Sequence, residues 1–436
     1  MIIVDKALEK RHEEGNPIRV AMVGAGTMGY GIALQIIRFT RGMRLVAISN
    51  RTPSRAEAAY RDAGVEGVKH VEGIKQLEDN ISRGGYSVTQ DPTLLCRAGN
   101  VDAVVEVTGE VDFGARVAME AIENGKHVIL MNSELDAALG PILKVHADRA
   151  GVIMTNSDGD QPGVIMNLYR FVKTIGFRPV LAGNIKGLQD PYRTPQTQKG
   201  YAEKYNLKPT MATAFADGTK ISMEMAVVAN ATGLKVGKRG MYGPACAHVK
   251  DAVKLFPMEQ MLDGGLVDYL LGAEPAPGVF VIGYNDNPTQ RRYLNYYKMG
   301  DGPLYVFYTP YHLCHFEAPL TVARAVLFKD AALTPLAGPV VDVITVAKRD
   351  LSSGEVLDGI GGFTCYGVAE NHAASRKEDL LPMSLSKDCR LKRDVPKDGV
   401  ITYDDVALPE ERLCDRLRAE QDAIFNLKSE KNRAIN

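Results

Sequence analysis

Two kinds of residue pattern in this chain could do chemistry: a glycine turn that cradles phosphates, and clusters of acids and bases that move protons. Gly24, Gly26 and Gly29 stand at G-x-G-x-x-G spacing, with Thr27 and Met28 inside the turn, directly after the apolar run IRVAMV. In such a turn the first glycine permits a tight bend, the second lets the backbone approach a pyrophosphate, and the third lets helix and strand pack closely. The pyrophosphate then sits at the helix N-terminus. About twenty residues on, NAD enzymes place an acid that holds the ribose hydroxyls. This chain has Asn50, Arg51 and Thr52 there. An acid would repel a 2'-phosphate and an arginine with small polar neighbours would hold it, so the pattern fits NADPH better than NADH, unless Arg51 is only a solvated residue at a helix start.

The acids and bases lie further along. Asp158 and Asp160 flank one glycine in SDGDQPG. Carboxylates this close need solvent, a cation or a hard metal ion such as Mg²⁺, unless the segment is simply a turn with an aspartate helix cap. NIKGLQDPYRTPQTQKGYAEKY carries Lys186, Arg193, Lys199 and Tyr201. It is too polar and too punctuated by proline for a core element, and reads either as a loop that receives a substrate phosphate or as an ordinary solvated loop. Lys220 and Glu224 are four apart before an apolar helix, so they share a face, as an exposed ion pair or as two groups turned into a site. A desolvated lysine there would donate a proton to a developing alkoxide. His312, His315 and Glu317 form a His-x-x-His-x-Glu spacing that suits a metal, a pocket lining or the cover of a sheet edge.

The elements that must position these groups alternate. Buried strands are expected at IRVAMV, MRLVAISN, VDAVVEV and HVILMN, each followed by a helix, which implies a parallel sheet. Ligands gather beyond the carboxyl ends of such strands, so Thr108, Gly109, Asn132, Ser133 and Glu134 should face the nicotinamide half of the cofactor. The cluster at Asn132 and Ser133 also reads as a helix cap. The expected architecture is α/β: a Rossmann-type doubly wound parallel sheet over residues 1–155, an α+β catalytic and dimerisation domain over 156–335, and a small β-rich domain with a terminal helix over 336–436.

Composition narrows the partners. A net charge of -1 gives no footprint for nucleic acid or an anionic membrane. The absence of a signal-like or membrane-length apolar run leads to the expectation of a cytoplasmic protein. The six cysteines are scattered, without zinc or disulfide spacing, and are expected to be reduced thiols.

Several motifs carry resemblances. AKRDLSSGEVLDGIGG resembles the signature of SAF domains, small β-clip modules, which implies a brace or cover for the active site. The first domain resembles the NADP-binding domain of homoserine dehydrogenases. SDGDQPG, GNIKGLQDPYRTP and FADGTKISME, together with the SAF-like end, resemble the deoxyxylulose-phosphate reductoisomerase-like (DRL) proteins of certain bacteria. That resemblance implies conversion of 1-deoxy-D-xylulose 5-phosphate to 2-C-methyl-D-erythritol 4-phosphate, a step of isoprenoid precursor synthesis, with NADPH and a divalent metal, Mg²⁺ or Mn²⁺. It also implies a homodimer formed through the middle-domain sheet.

Within that reaction, residue chemistry assigns Asp158, Asp160 and Glu224 to the metal. Lys186 and Lys220, with Asp160, Glu224 and His312, are the catalytic candidates, and Arg193, Lys199 and Tyr201 the phosphate receivers. Homoserine dehydrogenases place an Asn-Lys pair where this chain has Asn132 and Ser133. The missing lysine argues against plain homoserine oxidation and leaves an NADP-dependent dehydrogenase of another polyol, sugar acid or homoserine-like substrate as the alternative. A third reading is an NADP-binding regulatory protein, against which the dense acid and base landmarks of the middle segment count.

Overall fold

The computed structural model describes residues 3–433, with side chains over 3–426. The chain divides into two compact units, Met1–Asp160 with Leu313–Thr334, and Gln161–His312 with Pro335–Asn436. Residues 313–334, placed with the middle domain on sequence, are therefore counted with the first unit.

In the first unit seven strands form one parallel sheet: β1 (Ile18–Val23), β2 (Met43–Ser49), β3 (Lys69–His70), β4 (Ser87–Thr89), β5 (Ala103–Glu106), β6 (His127–Leu130) and β7 (Met154–Asn156). Their order is β3-β4-β2-β1-β5-β6-β7. The winding reverses between β1 and β5, the switch point at which such sheets bind ligands. β1, β5 and β6 are largely buried and mostly apolar, as strands covered by helices on both faces are. The helix Thr27–Phe39 buries Ile32, Ala33 and Ile36 against the sheet.

The returning segment completes this core. Ala318, Val322 and Ala323 of the helix Cys314–Ala323 join the apolar cluster that includes Ile32 and Ile36. The Asn156 amide at the end of β7 donates to the Leu333 carbonyl oxygen at 2.8 Å. Here lies the reason the domain is not one continuous stretch: a helix more than 150 residues downstream fills part of its hydrophobic surface.

The second unit is built on a mixed sheet in the order β11-β10-β8-β9: β8 (Arg178–Lys186), β9 (Leu266–Leu271), β10 (Val279–Tyr284) and β11 (Leu304–Thr309). β8 runs parallel to β9 and antiparallel to β10. Asn184, Ile185 and Lys186, expected in a loop, are the last residues of β8. β9 pairs with this end of the strand as far as Lys186 and β10 as far as Asn184, while its two polar side chains find a carboxylate.

Two further strands, β12 (Val341–Ala347) and β13 (Cys365–Asn371), form an antiparallel pair. The helix Thr219–Thr232 packs against β12 and β13 and also against β8 and β9. Covered on opposite sides, all but two of its 14 residues, Lys220 and Thr232, are buried. No helix among the described residues is long and apolar enough to cross a membrane.

Candidate functional site

The glycine turn has the geometry its spacing requires. Gly24 takes φ +112°, where a side chain would be strained, and a Cβ on Gly29 would stand 2.6 Å from the Gly24 carbonyl oxygen. Gly26 differs: apart from its chain neighbours, nothing lies within 4 Å of where its Cβ would be. It starts the helix Thr27–Phe39 without a side-chain cap, so the turn offers backbone N–H groups and open space to an anion. Thr27 is exposed and Met28 half-buried.

Asn50 braces this turn from the end of β2. Its Oδ1 accepts from the Ala25 amide at 3.1 Å, and its Nδ2 donates to the Thr52 carbonyl oxygen at 2.8 Å. Arg51 and Thr52 follow, both exposed. Arg55, one helical turn beyond Arg51, is exposed as well, so two guanidinium groups flank the place where an acid would hold a 2'-hydroxyl. Arg55 was missed on sequence, although the i, i+4 spacing from Arg51 signals it. These residues fit a dinucleotide with a 2'-phosphate.

Beyond β5 and β6 lie Thr108, Gly109, Asn132 and Glu134. Asn132 caps the helix Ser133–Ala150 through its Oδ1, as the alternative reading of this cluster held. Two of them are joined by Glu106, the last residue of β5, whose fully buried carboxylate accepts from both the Thr108 amide and Asn132 Nδ2. Its signal in the sequence is a lone acid inside AVVEVTG.

Asp158 and Asp160 end this unit. Asp158 forms an ion pair with Arg324, accepts from the Thr321 hydroxyl at 3.0 Å, and its amide donates to that same oxygen at 2.8 Å. Arg324 also holds Asp330, at 2.7 Å. Asp160 accepts from the Ser133 hydroxyl at 3.0 Å. Burial, and then the charge of Asp158, push the Glu317 carboxyl up to about 7. Arg324 escaped notice because it lies in the apolar run TVARAVLF, where a single charge is itself the signal.

These contacts bear on the expected metal site. The charge of Asp158 is already balanced by Arg324, and Glu224, in the second unit, is bound by an amide and an ammonium group. Among the described residues no group of three or more His, Cys, Asp or Glu side chains is placed to hold a metal ion. Asp158 and Asp160 are thus engaged within the first unit, and Glu224 within the second. His312, too, is engaged otherwise, its Nδ1 lying 3.1 Å from the Pro277 carbonyl oxygen, while His315 packs where a Cβ on Gly31 would meet its ring at 2.5 Å.

In the second unit the structure brings Lys186 and Glu224 together. Lys186 Nζ lies 3.1 Å from Glu224 Oε2, and Asn184, two residues earlier on the same face of β8, donates to that oxygen at 2.6 Å. Asn184 gives no sequence signal of its own beyond that spacing. Lys220 opens the helix that carries Glu224 and is partly buried one turn before it. Asp217, just ahead of the helix, forms a buried ion pair with Lys348.

The three phosphate candidates lie apart from that pair in their contacts. Arg193 bonds Asp190 at 3.0 Å, and the Tyr201 ring packs on Tyr205. Lys199 lines an open cavity of ≈ 640 Å³ with Pro195, Glu203, Asn206 and Phe363.

Residues 18–130 match the family described as an oxidoreductase family with an NAD-binding Rossmann fold, and residues 159–318 match the catalytic domain of oxidoreductase DRL. The chain is 25% identical over 205 residues to homoserine dehydrogenase of Neisseria gonorrhoeae, which covers 46% of this chain and 43% of that one. It is 30% identical over 113 residues to scyllo-inositol 2-dehydrogenase (NAD(+)) of Bacillus subtilis, 26% of this chain and 27% of that one. The chain thus spans less than half the length of these curated relatives. Among solved structures, scyllo-inositol dehydrogenase of Lactobacillus casei with NAD(H) and scyllo-inositol aligns at 15% identity over 61% of this chain and 73% of that one, with a TM-score of 0.35. Both family models are of oxidoreductases, and the first unit carries the nicotinamide-dinucleotide-binding Rossmann fold.

Proposed function

We propose that this chain is an NADP-dependent oxidoreductase that interconverts a hydroxyl and a carbonyl group on a small polyhydroxylated substrate. The observation that carries the reading is the nucleotide end of the first unit: an uncapped glycine turn braced by Asn50, with exposed Arg51 and Arg55 where an acid would select NAD. The bound dinucleotide supplies the hydride that the reacting carbon takes up. The substrate oxygen needs a proton at the same time, and the Lys186 ammonium, held by Glu224, is the group suited to give it. Asn184 shares the load on Glu224, so the lysine keeps a fixed partner and one direction. The homoserine and inositol dehydrogenases among the relatives support a hydroxyl-bearing small molecule as the substrate class.

A second reading has its own support. Residues 159–318 match the DRL catalytic domain, which favours reduction coupled to rearrangement of 1-deoxy-D-xylulose 5-phosphate, the proton again coming from Lys186.

One assay separates these readings. NADPH absorbance is followed on adding 1-deoxy-D-xylulose 5-phosphate, with and without Mg²⁺ or Mn²⁺, and on adding a panel of keto-polyols and keto acids, with NADH in parallel. Turnover of the panel with preference for NADPH supports the dehydrogenase. Turnover of the sugar phosphate alone supports the reductoisomerase, and binding of NADPH without any turnover counts against both.

A further inference from the structure

Glu106 has no part in the hydride or proton chemistry above, yet it occupies the switch point of the sheet. It is the last residue of β5, adjacent to β1, and its side chain is fully buried. One carboxylate oxygen accepts from the Thr108 amide at 2.8 Å and from the Thr108 hydroxyl. The other accepts from Asn132 Nδ2 at 2.9 Å. Asn132 Nδ2 also reaches the Glu110 carbonyl oxygen at 3.2 Å, and its Oδ1 receives the Leu135 amide at 3.1 Å. One buried acid therefore ties the segment after β5 to the segment after β6.

The network is closed on its inner side and reaches the glycine turn on its outer side. A Cβ on Gly114 would stand 3.0 Å from Asn132 Nδ2 and 3.1 Å from Glu106 Oε2, so any side chain there would crowd both. Thr108 Cγ2 lies 3.3 Å from where a Cβ on Gly24 would be, which sets the network directly beside the turn that receives the pyrophosphate. Burial pushes the Glu106 carboxyl up, and the hydrogen bonds from Thr108 and Asn132 pull it back. A buried acid of this kind is tolerated only where its hydrogen bonds are met, and here every one of the donors named belongs to the rim of the nucleotide crevice.

We propose that Glu106 is a positioning residue for the nicotinamide half of the dinucleotide, fixing Thr108 and Asn132 as one rigid rim beyond β5 and β6. The inference rests on the reading of the first unit as a dinucleotide site, and is independent of which substrate is reduced. Thr108 and Asn132 each give Glu106 a hydrogen and keep an oxygen for other partners, so their orientation is set by the acid beneath them. Replacing that acid by an amide supplies a donor where an acceptor is needed and frees the rim to turn.

The test compares Glu106→Gln with wild type for two ligands: NADPH, by its fluorescence, and 2'-phospho-ADP-ribose, which lacks the nicotinamide, by calorimetry. With charge-assisted bonds lost, NADPH affinity should fall by roughly tenfold and fragment affinity by about twofold or less. Equal loss for both ligands, or no loss for either, overturns the proposal. Should the amide variant fail to fold, Thr108→Val removes one hydroxyl and leaves the buried acid in place, and the same split between the two ligands is expected. A wild-type chain that binds neither NADPH nor NADH overturns the nucleotide reading itself, and this proposal with it.

Discussion

Lys348 and Asp217 meet 2.8 Å apart with both side chains almost wholly removed from solvent. Lys348 also donates to the Gly362 carbonyl oxygen, and Asp217 receives the Thr219 amide at the start of the helix that carries Glu224. The strand pair β12 and β13 thus grips that helix by its first turn, where the Thr219 hydroxyl further accepts from the Gly367 amide. Loss of one partner leaves the other charge buried and uncompensated. Lys348→Met should destabilise the protein by about 3–5 kcal/mol, whereas the double change with Asp217→Leu should recover most of the loss. Urea denaturation of the two variants checks this, and equal losses would refute it.

On the proposed reading, Arg51 would set the choice of dinucleotide. Arg51→Ala should raise KM for NADPH by roughly tenfold to a hundredfold and leave KM for NADH nearly unchanged, because only the 2'-phosphate loses a charge-assisted bond. Steady-state kinetics with both cofactors decides the matter. A parallel rise for both would assign Arg51 to the adenine ribose in general.

Lys186→Met should lower kcat by about 10²–10⁴-fold, the usual scale of a lost general acid, while NADPH affinity stays within about twofold. Single-turnover rates and a separate binding titration keep these two effects apart. Undiminished kcat would move the proton donor elsewhere, with Lys220 the next group to change.

Glu317 gives a pH signature. Its folded pKa of about 7 lies above the ordinary carboxyl value, so the folded state holds its proton more tightly than the unfolded chain. Its contribution to stability is full below about pH 4 and is lost as pH rises through about 7. Glu317→Gln should therefore gain stability relative to wild type above pH 7, by about 1 kcal/mol once partial exposure to solvent is allowed for, and the gain should vanish towards pH 4. Melting temperatures across that range give the test, and a gain independent of pH would exclude the ionisation as its cause.

What the sequence made legible follows from how local each feature is. The glycine turn, the parallel strands and the caps are read within windows of a few residues, since backbone geometry and hydrophobic period are local properties. Lys186 and Glu224 were both visible as polar landmarks, yet their meeting depends on a strand and a helix 38 positions apart in the chain. The end of β8 was misread because Asn184 and Lys186 look like loop residues until Glu224 accounts for them. The partner of Asp158 was invisible for the same reason: the charge facing it comes from Arg324, 166 residues later, and no spacing rule reaches that far.

The return of Leu313–Thr334 to the first unit has a consequence for biosynthesis. A chain emerging from the ribosome presents the parallel sheet early, but the surface later covered by Ala318 and Val322 stays open, and Asp158 stays without Arg324, until some 170 further residues have been made. At ~5–20 residues per second that is a delay of roughly ten seconds or more, during which an apolar face stands exposed to chaperones or to neighbouring nascent chains.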